Sequence, residues 1–245
     1  MVIYHQIYFY RKIMAETYLF NNDCIKIMDT LIEQGLKVDL IICDPPYLTT
    51  SRGNAGNSGG MLQKKINMKG QVFENNACDV KVWGKRIYEL LKDGSHCYIM
   101  TNHKNLIEYL NVLTEYGFHF IKSLIWKKDN KIMGQFYMSQ FEYILFFRKG
   151  AGKKINNCGT SDVLEIPNKK LKNPDGTNKH DTEKPVELMK ILVENSSKEN
   201  DLVMDFAMGI GATGIACKQT NRNFIGCEID ETYFNIARDR INEQN

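Results

Sequence analysis

Short apolar runs alternate with amphipathic segments along most of the chain, and this alternation predicts the secondary structure. Apolar runs bounded by turn-forming residues indicate buried strands, whereas apolar residues spaced three and four apart indicate helices. Strands are predicted over Thr17–Phe20, Val38–Cys43, His96–Met100, Phe118–Trp126, Glu142–Arg148, Asp201–Phe206 and Asn223–Ile229. Helices are predicted over Cys24–Gln34, Val80–Leu91, Asn105–Tyr116, Pro185–Asn195, Gly211–Thr220 and Glu231–Asn242. Strands that alternate with helices predict an α/β fold with a mostly parallel, doubly wound sheet.

Local signals refine the ends and the pairing of these elements. The strands at 118–126 and 142–148 have no helix between them, so we expect them to form an antiparallel pair. Asp23 is placed to cap the first helix, and Asp93-Gly94 is expected to end the second. Asp181 and Thr182 are the expected N-terminal caps of the predicted helix Pro185–Asn195.

The chain divides into two ordered parts that are separated by one irregular stretch. Residues 149–179 are polar, basic and interrupted by Gly and Pro, which indicates an insert between ordered parts at 14–148 and 180–245. Residues 49–60 contain four glycines and no periodicity, which predicts a mobile loop. Residues 1–13 precede a second Met, and we interpret them as an N-terminal extension from an upstream start.

Composition and charge predict a globular protein with an anionic partner. The chain of 245 residues is 43% hydrophobic and 25% charged, which is the range of globular domains. Its net charge of +3 decides little, but the positive charge is concentrated in two irregular stretches. Residues 48–71 hold four Lys or Arg and no acid, and residues 148–179 hold eight against three acids. Basic loops of this kind suit a polyanion.

Several classes of protein and site are not indicated by the sequence. The seven cysteines have no spacing typical of zinc ligands, and we predict no metal site. Their irregular spacing fits a reducing cytoplasm, which we expect to be the location of the protein. No apolar run reaches the length that spans a membrane, and the first residues lack the order of a signal peptide.

The tetrapeptide Asp44-Pro45-Pro46-Tyr47 follows the predicted strand at 38–43 and is the first chemical signal. Its two prolines cannot donate to a ladder, so they end the strand in a rigid turn. That turn presents a carboxylate, a carbonyl and an aromatic ring at the carboxyl end of a strand, where open α/β sheets bind ligands. Taken alone, the tetrapeptide is equally compatible with a plain surface turn.

A glycine-rich turn after the predicted strand at 201–206 is the second chemical signal. The run Gly209-Ile210-Gly211-Ala212-Thr213-Gly214 fits the GxGxxG dinucleotide pattern, and Glu228 ends the next strand as a ribose-binding acid would. Strand, turn, helix and acid in this order predict a nucleoside ligand. A pyrophosphate prefers a helix N-terminus without carboxylates, so Asp205 before the turn favours S-adenosylmethionine over NAD.

Together the two signals resemble the amino-group DNA methyltransferases, which methylate adenine N6 or cytosine N4. The tetrapeptide comes before the glycine turn, which is the motif order of the β class of that family. The segment 180–185 is similar to the family's His-x-Thr-x-Lys-Pro element, and 126–128 and 141–143 are similar to its middle strands. The resemblance covers about residues 16–148 and 180–242.

This resemblance implies a catalytic domain of Rossmann-like fold that uses S-adenosylmethionine, with 149–179 as a small target-recognition region. It implies that the Asp44 carboxylate and the Pro45 carbonyl accept the two amine hydrogens of a flipped-out base, while Pro46 shapes the turn and Tyr47 stacks on the base. The implied cofactor contacts are Asp23, Cys24, Asp44, His180, Thr182, Lys184, Asp205, Phe206, Ala207, Gly209, Gly211, Glu228 and Ile229.

The basic loops are the expected DNA-binding surface. The expected contacts are Arg52, Lys64, Lys65, Lys69, Lys169, Lys170 and Lys172. We expect double-stranded DNA as the partner, with single-stranded DNA as the alternative, and a monomer or homodimer. The resemblance further implies a bacterial or phage-encoded protein of a restriction-modification system.

The sequence departs from the family pattern in one region and leaves alternatives open. It has Asp205-Phe206-Ala207 where Asp-Pro-Phe is usual, and Ile210 and Ala212 replace hydroxyl side chains, which removes polar contacts to the cofactor. Asp at the first position of the tetrapeptide favours adenine, and cytosine N4 remains the alternative. A binding module with an inactive cofactor fold would not need Asp44, and an NAD-dependent oxidoreductase would leave the tetrapeptide unexplained.

Overall fold

The computed structural model describes residues 15–46, 79–132, 136–180 and 182–244. Within these ranges strands and helices alternate over most of the chain. The strands are β1 Thr17–Asn21, β2 Val38–Cys43, β3 Leu91–Thr101, β4 His119–Ile132, β5 Ser139–Arg148, β6 Val163–Glu165, β7 Leu202–Asp205 and β8 Asn223–Glu228. The helices are α1 Cys24–Glu33, α2 Val80–Leu90, α3 Leu106–Glu115, α4 Val186–Ser196, α5 Ala212–Gln219 and α6 Glu231–Asn242.

All eight strands of the described part form one sheet in the order β1-β8-β7-β2-β3-β5-β4-β6. The pairs from β1 to β3 are parallel, β3 with β5 and β5 with β4 are antiparallel, and β4 with β6 is parallel. The predicted mostly parallel sheet and the antiparallel pair are confirmed. β7 and β8, which come last in the chain, lie between β1 and β2.

Helices cover both faces of the sheet, as the doubly wound prediction requires. α1, α2 and α3 pack together over one face, and α4, α5 and α6 pack over the other. Residues 40–43 of β2 are all apolar because both faces of the strand are covered: Ile41 and Cys43 face the first layer, while Leu40 and Ile42 face the second. None of the helices in the described ranges combines the length and apolar character that a membrane crossing requires.

Two predicted element ends are wrong. Asp93-Gly94 does not end a helix, because α2 already ends at Leu90 and β3 begins at the next residue. The pairing of β2 with β3 skips residues 92–95, so the turn-forming pair makes a bulge within the strand. Thr182 does not cap α4, whose N-cap is Pro185 without a side-chain hydrogen bond; the other expected cap, Asp181, lies outside the described residues.

The segment 149–179 is attached to the sheet rather than separate from it. It contributes β6, which pairs with β4 at the edge of the sheet. The predicted loop at 49–60 and the predicted extension at 1–13 lie outside the described residues.

Candidate active site

The carboxyl ends of four parallel strands meet at one edge of the sheet and carry the candidate site. β1, β8, β7 and β2 are adjacent and parallel, so the residues that follow them lie side by side. β2 leads into Asp44, β7 ends at Asp205, β8 ends at Glu228, and β1 leads towards Asp23. The fold therefore places the tetrapeptide next to the glycine turn, although the two are far apart in sequence.

Asp44 belongs to a group of four charged side chains, Asp44, Lys128, Glu142 and Lys184, which we call the ion cluster. The Lys184 ammonium donates to Asp44 Oδ2 and to the Thr182 carbonyl at 3.2 Å, and it lies 3.4 Å from Glu142 Oε2. Glu142 Oε1 accepts a hydrogen bond from Lys128. Both lysine side chains are only 7% exposed, and the carboxylates of Asp44 and Glu142 are 19% and 20% exposed. Two positive and two negative charges are thus paired beneath the surface.

The second oxygen of the Asp44 carboxylate is left for a ligand. Its Oδ1 is buried and has no hydrogen-bond partner in the described part of the chain. Leaving a buried acceptor unpaired costs about 1–3 kcal/mol, so such an atom is expected where a ligand supplies the donor. The backbone at this point is rigid, because buried Pro45 and partly buried Pro46 follow directly. Asp44 Oδ1 therefore marks the place of an N–H donor.

The charges of the ion cluster shift the pKa values of its members. Burial raises the pKa of Asp44, the nearby Glu142 charge adds to this, and Lys184 and Lys128 act in the opposite direction. Burial also opposes ionisation of Glu142, but Lys184 and Lys128 outweigh it and lower the pKa of Glu142 to about 2. Burial would lower the pKa of Lys184, yet the Asp44 and Glu142 carboxylates outweigh it and raise that pKa. Lys184 is therefore held as an ammonium ion.

The Trp126 ring packs against the two lysines of the ion cluster. Its ring centroid lies 4.6 Å from Lys128 Nζ and 6.0 Å from Lys184 Nζ, so the ring face meets both ammonium groups. The indole N–H donates to the Ile166 carbonyl at 2.8 Å, which ties the ring to the segment after β6. Gln140 donates to the Lys128 carbonyl at 3.0 Å and joins β5 to β4. The cluster thus rests on a fixed support.

The glycine turn depends on left-handed backbone at two positions. Gly209 has a φ of 53° and Gly211 a φ of 85°, a region that favours glycine. The Gly209 N–H donates to Glu228 Oε2 at 3.0 Å. A Cβ added to Gly211 would lie 3.1 Å from Ala237 Cβ and from Ile241 Cδ1, both on α6. Glycine at 211 is therefore explained by helix packing as well as by the turn itself.

Asp205 and Phe206 point into the protein. The Asp205 side chain is buried and accepts from Thr213 Oγ1 at 2.6 Å and from the Ala207 N–H at 3.1 Å. Burial raises the pKa of Asp205 to about 6. Phe206 is buried against Trp83, with ring centroids 5.2 Å apart. The Phe206 ring therefore belongs to the core, and the expected cofactor contact of this residue stays a prediction.

The remaining carboxylates at this edge contact backbone N–H groups. Glu228 Oε1 accepts from the Asp230 N–H at 2.9 Å, and burial raises the pKa of Glu228 to about 7. Asp23 caps α1 as predicted, accepting from the first turn of the helix at 2.8 Å. Cys24 is half-buried beside it, and Ile229 is 49% exposed after β8. Of these groups, Glu228 contacts the glycine turn directly, through the Gly209 N–H.

His180 lies directly against the glycine turn. Its ring packs edge-on to Tyr233 with centroids 4.4 Å apart, and a Cβ on Gly209 would come within 3.3 Å of its Nε2. Burial lowers the pKa of His180 to about 3, so the ring is neutral at physiological pH. Thr182 uses its backbone carbonyl to hold Lys184. The segment 180–185 therefore connects the glycine turn to the ion cluster.

Arg240 on α6 provides a second connection to the glycine turn. Its Nη1 donates to the Ile210 carbonyl at 2.6 Å, and its Nη2 lies 3.0 Å from Glu183 Oε1. Glu183 is buried and also accepts from the Leu171 N–H at 2.8 Å. The sequence did not predict this link, because Arg240 is one of several polar residues on the outer face of α6.

Glu142 and Lys128 were also missed as members of the site. Both were recognised only as part of strands that resemble the family. A signal was nevertheless present, because each places a charge in a strand whose other inward positions are apolar. Long charged side chains in such strands are rarely buried unless they are paired.

Part of the predicted DNA-binding set is described by the structure. Lys169 and Lys172 are exposed and Lys170 is half-buried, and Lys172 donates to the Asn178 side chain at 2.7 Å. The other predicted DNA-binding residues lie outside the described ranges: Arg52, Lys64, Lys65 and Lys69. Tyr47 of the catalytic tetrapeptide also lies outside them.

Comparison with known proteins agrees with this arrangement. A family profile described as DNA methylase matches residues 38–239. Type II methyltransferase M2.DpnII of Streptococcus pneumoniae is 28% identical in an alignment that covers 93% of this chain and 90% of that protein. Type II methyltransferase M.HinfI of Haemophilus influenzae is 25% identical, with 92% and 68% of the two chains covered.

Solved structures share the fold over nearly the whole chain. A complex of M1.HpyAVI with SAM has a TM-score of 0.68 and 25% identity, covering 91% of this chain and 99% of that one. PvuII DNA methyltransferase, which is cytosine-N4-specific, has a TM-score of 0.70 and 14% identity, covering 93% and 86%. The latter shows a likeness of fold alone, so the fold does not choose between the two target bases.

Proposed function

The chain belongs to the DNA methylase family, and we propose that it transfers a methyl group from S-adenosylmethionine to the exocyclic N6 of adenine in double-stranded DNA. The family match and the complex of M1.HpyAVI with SAM support the reaction class and the methyl donor. The observation that carries the proposal is Asp44, whose Oδ1 is unpaired in the described part of the chain while Lys184 holds Oδ2. Asp at the first position of the tetrapeptide supports adenine rather than cytosine.

The residues around the glycine turn fit S-adenosylmethionine. When bound, this cofactor supplies an electrophilic methyl group on a sulfonium, together with an adenosine. The carboxylates of Asp23, Asp205 and Glu228 gather at the same edge, which favours a cation and disfavours a pyrophosphate. We assign Glu228 to the ribose hydroxyls, because it ends β8 beside the glycine turn. Neutral His180 adds no positive charge beside the glycine turn, where a cationic cofactor would bind.

Asp44 prepares the target amine for attack. The lone pair of an exocyclic amine is delocalised into the base, so the nitrogen must become pyramidal before it can react. Asp44 Oδ1 accepts one N–H and the Pro45 carbonyl accepts the other, which favours that geometry and stabilises the positive charge that develops on nitrogen. Lys184 keeps the carboxylate oriented by holding Oδ2. Tyr47, outside the described residues, remains the predicted stacking partner of the flipped base.

The target base itself is tested by the site of methylation. Double-stranded and single-stranded DNA of the same sequence would each be methylated with S-adenosylmethionine that carries a radiolabelled methyl group, and the products digested to deoxynucleosides and separated. We expect the label in N6-methyl-2′-deoxyadenosine from the double-stranded DNA. Label in N4-methyl-2′-deoxycytidine would overturn the adenine assignment while leaving the methyl transfer intact, and label found only with the single-stranded substrate would overturn the choice of duplex DNA.

We further propose that residues 149–179 contact the DNA backbone. The segment contributes β6 to the sheet, and the Glu183–Arg240 pair joins it to the glycine turn. Lys169 and Lys172 project from it into solvent. This arrangement supports a short recognition segment that is fixed to the catalytic domain.

Replacing Lys169 and Lys172 together by Ala should weaken DNA binding and reduce its dependence on salt. Each phosphate contact that is lost removes about one unit from the slope of log affinity against log salt concentration, so the slope should fall by about two. The measurement is fluorescence anisotropy of labelled duplex across a salt series. Lys85→Ala is the matched control, because this lysine is exposed on α2 and lies outside the segment 149–179. An unchanged slope in the double variant would remove these lysines from the interface.

A further inference from the structure

We infer that Glu142 and Lys128 are positioning residues that act through Lys184 to hold the Asp44 carboxylate with Oδ1 directed at the target amine. This inference rests on the proposed function, since it concerns the same reaction. Neither residue touches the reacting atoms; both act through the ion cluster. Their role is electrostatic and geometric, which distinguishes it from support of the fold alone.

The geometry of Lys184 supplies the first step of the inference. The Lys184 ammonium donates to two acceptors, Asp44 Oδ2 and the Thr182 carbonyl at 3.2 Å, and forms an ion pair with Glu142, whose Oε2 lies 3.4 Å away. Because two hydrogen bonds and one ion pair hold the ammonium, it cannot turn to a cofactor carboxylate without breaking a contact. We therefore reassign Lys184 from the cofactor to Asp44. The position of its ammonium depends on Glu142, because that carboxylate is its second anionic partner.

The balance of charge supplies the second step. If Glu142 were absent, Lys128 and Lys184 would both interact with the single carboxylate of Asp44. Lys184 would then have Asp44 as its one remaining anionic partner in the ion cluster. Asp44 would then be a weaker acceptor for the target amine, since more of its charge would be neutralised by lysine. Glu142 withdraws part of this positive charge, and Lys128 in turn anchors Glu142 from β4. The cluster therefore sets how much negative charge is left on Oδ1.

The site surrounds Asp44 with groups from several elements, and each affects its ionisation. Lys184 lies before α4, Glu142 on β5 and Lys128 on β4, while the Cys43 thiol on β2 and the Asp205 carboxylate on β7 face it from the sheet. Glu142 favours the protonated form of Asp44, whereas Lys184 and Lys128 favour the ionised form. Removal of Glu142 and removal of Lys128 should therefore move the pKa of Asp44 in opposite directions.

The test is the pH profile of kcat/KM for DNA methylation. S-adenosylmethionine is kept at a saturating concentration, so that Glu228 remains bound to the cofactor and its own titration does not enter the profile. Activity needs ionised Asp44, so it falls as the pH drops through the Asp44 pKa. Glu142→Gln removes a charge that raises this pKa, so the acidic limb should move down by about one pH unit. Lys128→Met removes a charge that lowers the pKa, so the limb should move up by about the same amount. In both variants the plateau rate should fall by about tenfold or more, because the acceptor is misplaced.

Two controls separate this role from a structural one. The double variant Glu142→Gln with Lys128→Met leaves the Asp44–Lys184 pair neutral, and its acidic limb should lie between those of the single variants; it also serves if either single variant fails to fold. Glu89→Gln removes a carboxylate from the exposed Lys85–Glu89 pair on α2, and its profile should match that of the wild type. Profiles that lose amplitude without any shift in the limb would overturn the inference.

A readout without turnover distinguishes failure of this inference from failure of the proposed function. Carbon-13 labelling of aspartate gives the Asp44 carboxyl signal, assigned by its loss in Asp44→Asn, and its titration can be followed in the free protein. Opposite shifts in Glu142→Gln and Lys128→Met support the inference even if the target base proves to be cytosine. Equal titrations in all variants, in an enzyme that methylates adenine, would overturn the inference and leave the function standing.

Discussion

Asp44→Asn should reduce methyl transfer by about 10³-fold while S-adenosylmethionine still binds. Asparagine keeps the shape of the side chain but replaces two acceptor oxygens by one oxygen and an N–H donor. Loss of one preorganised acceptor at a position where charge develops costs on the order of 10²–10³ in rate. Lys184 also loses its anionic partner, which disturbs the orientation of the amide further. The rate is measured in single turnover with labelled cofactor, and binding is measured by calorimetry.

Asp39→Asn is the matched control for that substitution. Asp39 lies near the opposite end of the same strand, where its carboxylate contacts Lys92 at 2.7 Å and the Leu202 N–H at 3.0 Å. This variant should lose up to about 1 kcal/mol of stability and retain its rate, because the contacts are structural. If Asp44→Asn lost cofactor binding while remaining folded, Asp44 would belong to the cofactor pocket and not to the amine.

Gly211→Ala should destabilise the protein by about 2–5 kcal/mol and weaken cofactor binding. Two costs combine at this position. A left-handed φ costs a residue with a Cβ about 1–2 kcal/mol, and the added methyl group comes within 3.1 Å of Ala237 and Ile241, where overpacking costs about 1–3 kcal/mol. Since the turn can relieve the contact only by moving away from α6, the Arg240 bond to the Ile210 carbonyl should weaken as well.

Gly35→Ala separates the two costs in the same chain. Gly35 also has a left-handed φ, 70°, but a Cβ there would meet nothing within 4 Å. It should therefore show the backbone cost alone, about 1–2 kcal/mol, with unchanged cofactor affinity. Urea unfolding of both variants gives the difference, which reports the contact with α6. Equal destabilisation would mean that the glycine turn tolerates a methyl group against that helix.

The sequence was sufficient to predict the order of the elements and the two main parts of the site, which are the tetrapeptide at 44–47 and the glycine turn. Apolar runs such as Val38–Cys43 are unambiguous because the strands of a parallel sheet are buried on both faces. The position of Asp44 beside the glycine turn followed from one rule, that parallel strands end at one edge of the sheet. Where the prediction of ends failed, at Asp93-Gly94, a turn signal was absorbed by a bulge within β3, which local pattern does not distinguish from a helix stop.

The parts that could not be predicted are contacts between residues remote in sequence. Glu142 and Lys128 join the site because β4 and β5 pair beside β3, which fixes which side chains meet above Trp126. The residue pattern of a single strand does not indicate which side chain of another strand will lie next to it. Phe206 is a second example, since the sequence did not indicate that its ring packs in the core beside Trp83.

The place of β7 and β8 between β1 and β2 has a consequence for how the chain folds. β1 pairs within the described sheet only with β8, so β1 has no partner in that sheet until Asn223–Glu228 has been synthesised. Pairing between such distant segments closes a long loop, which slows folding and leaves strand edges exposed in the meantime. During synthesis, β2 to β6 can assemble before β7 and β8, and the β2 edge then stays unpaired until β7 is made. Asp44 and the glycine turn therefore come together only when β7 and β8 insert between β1 and β2.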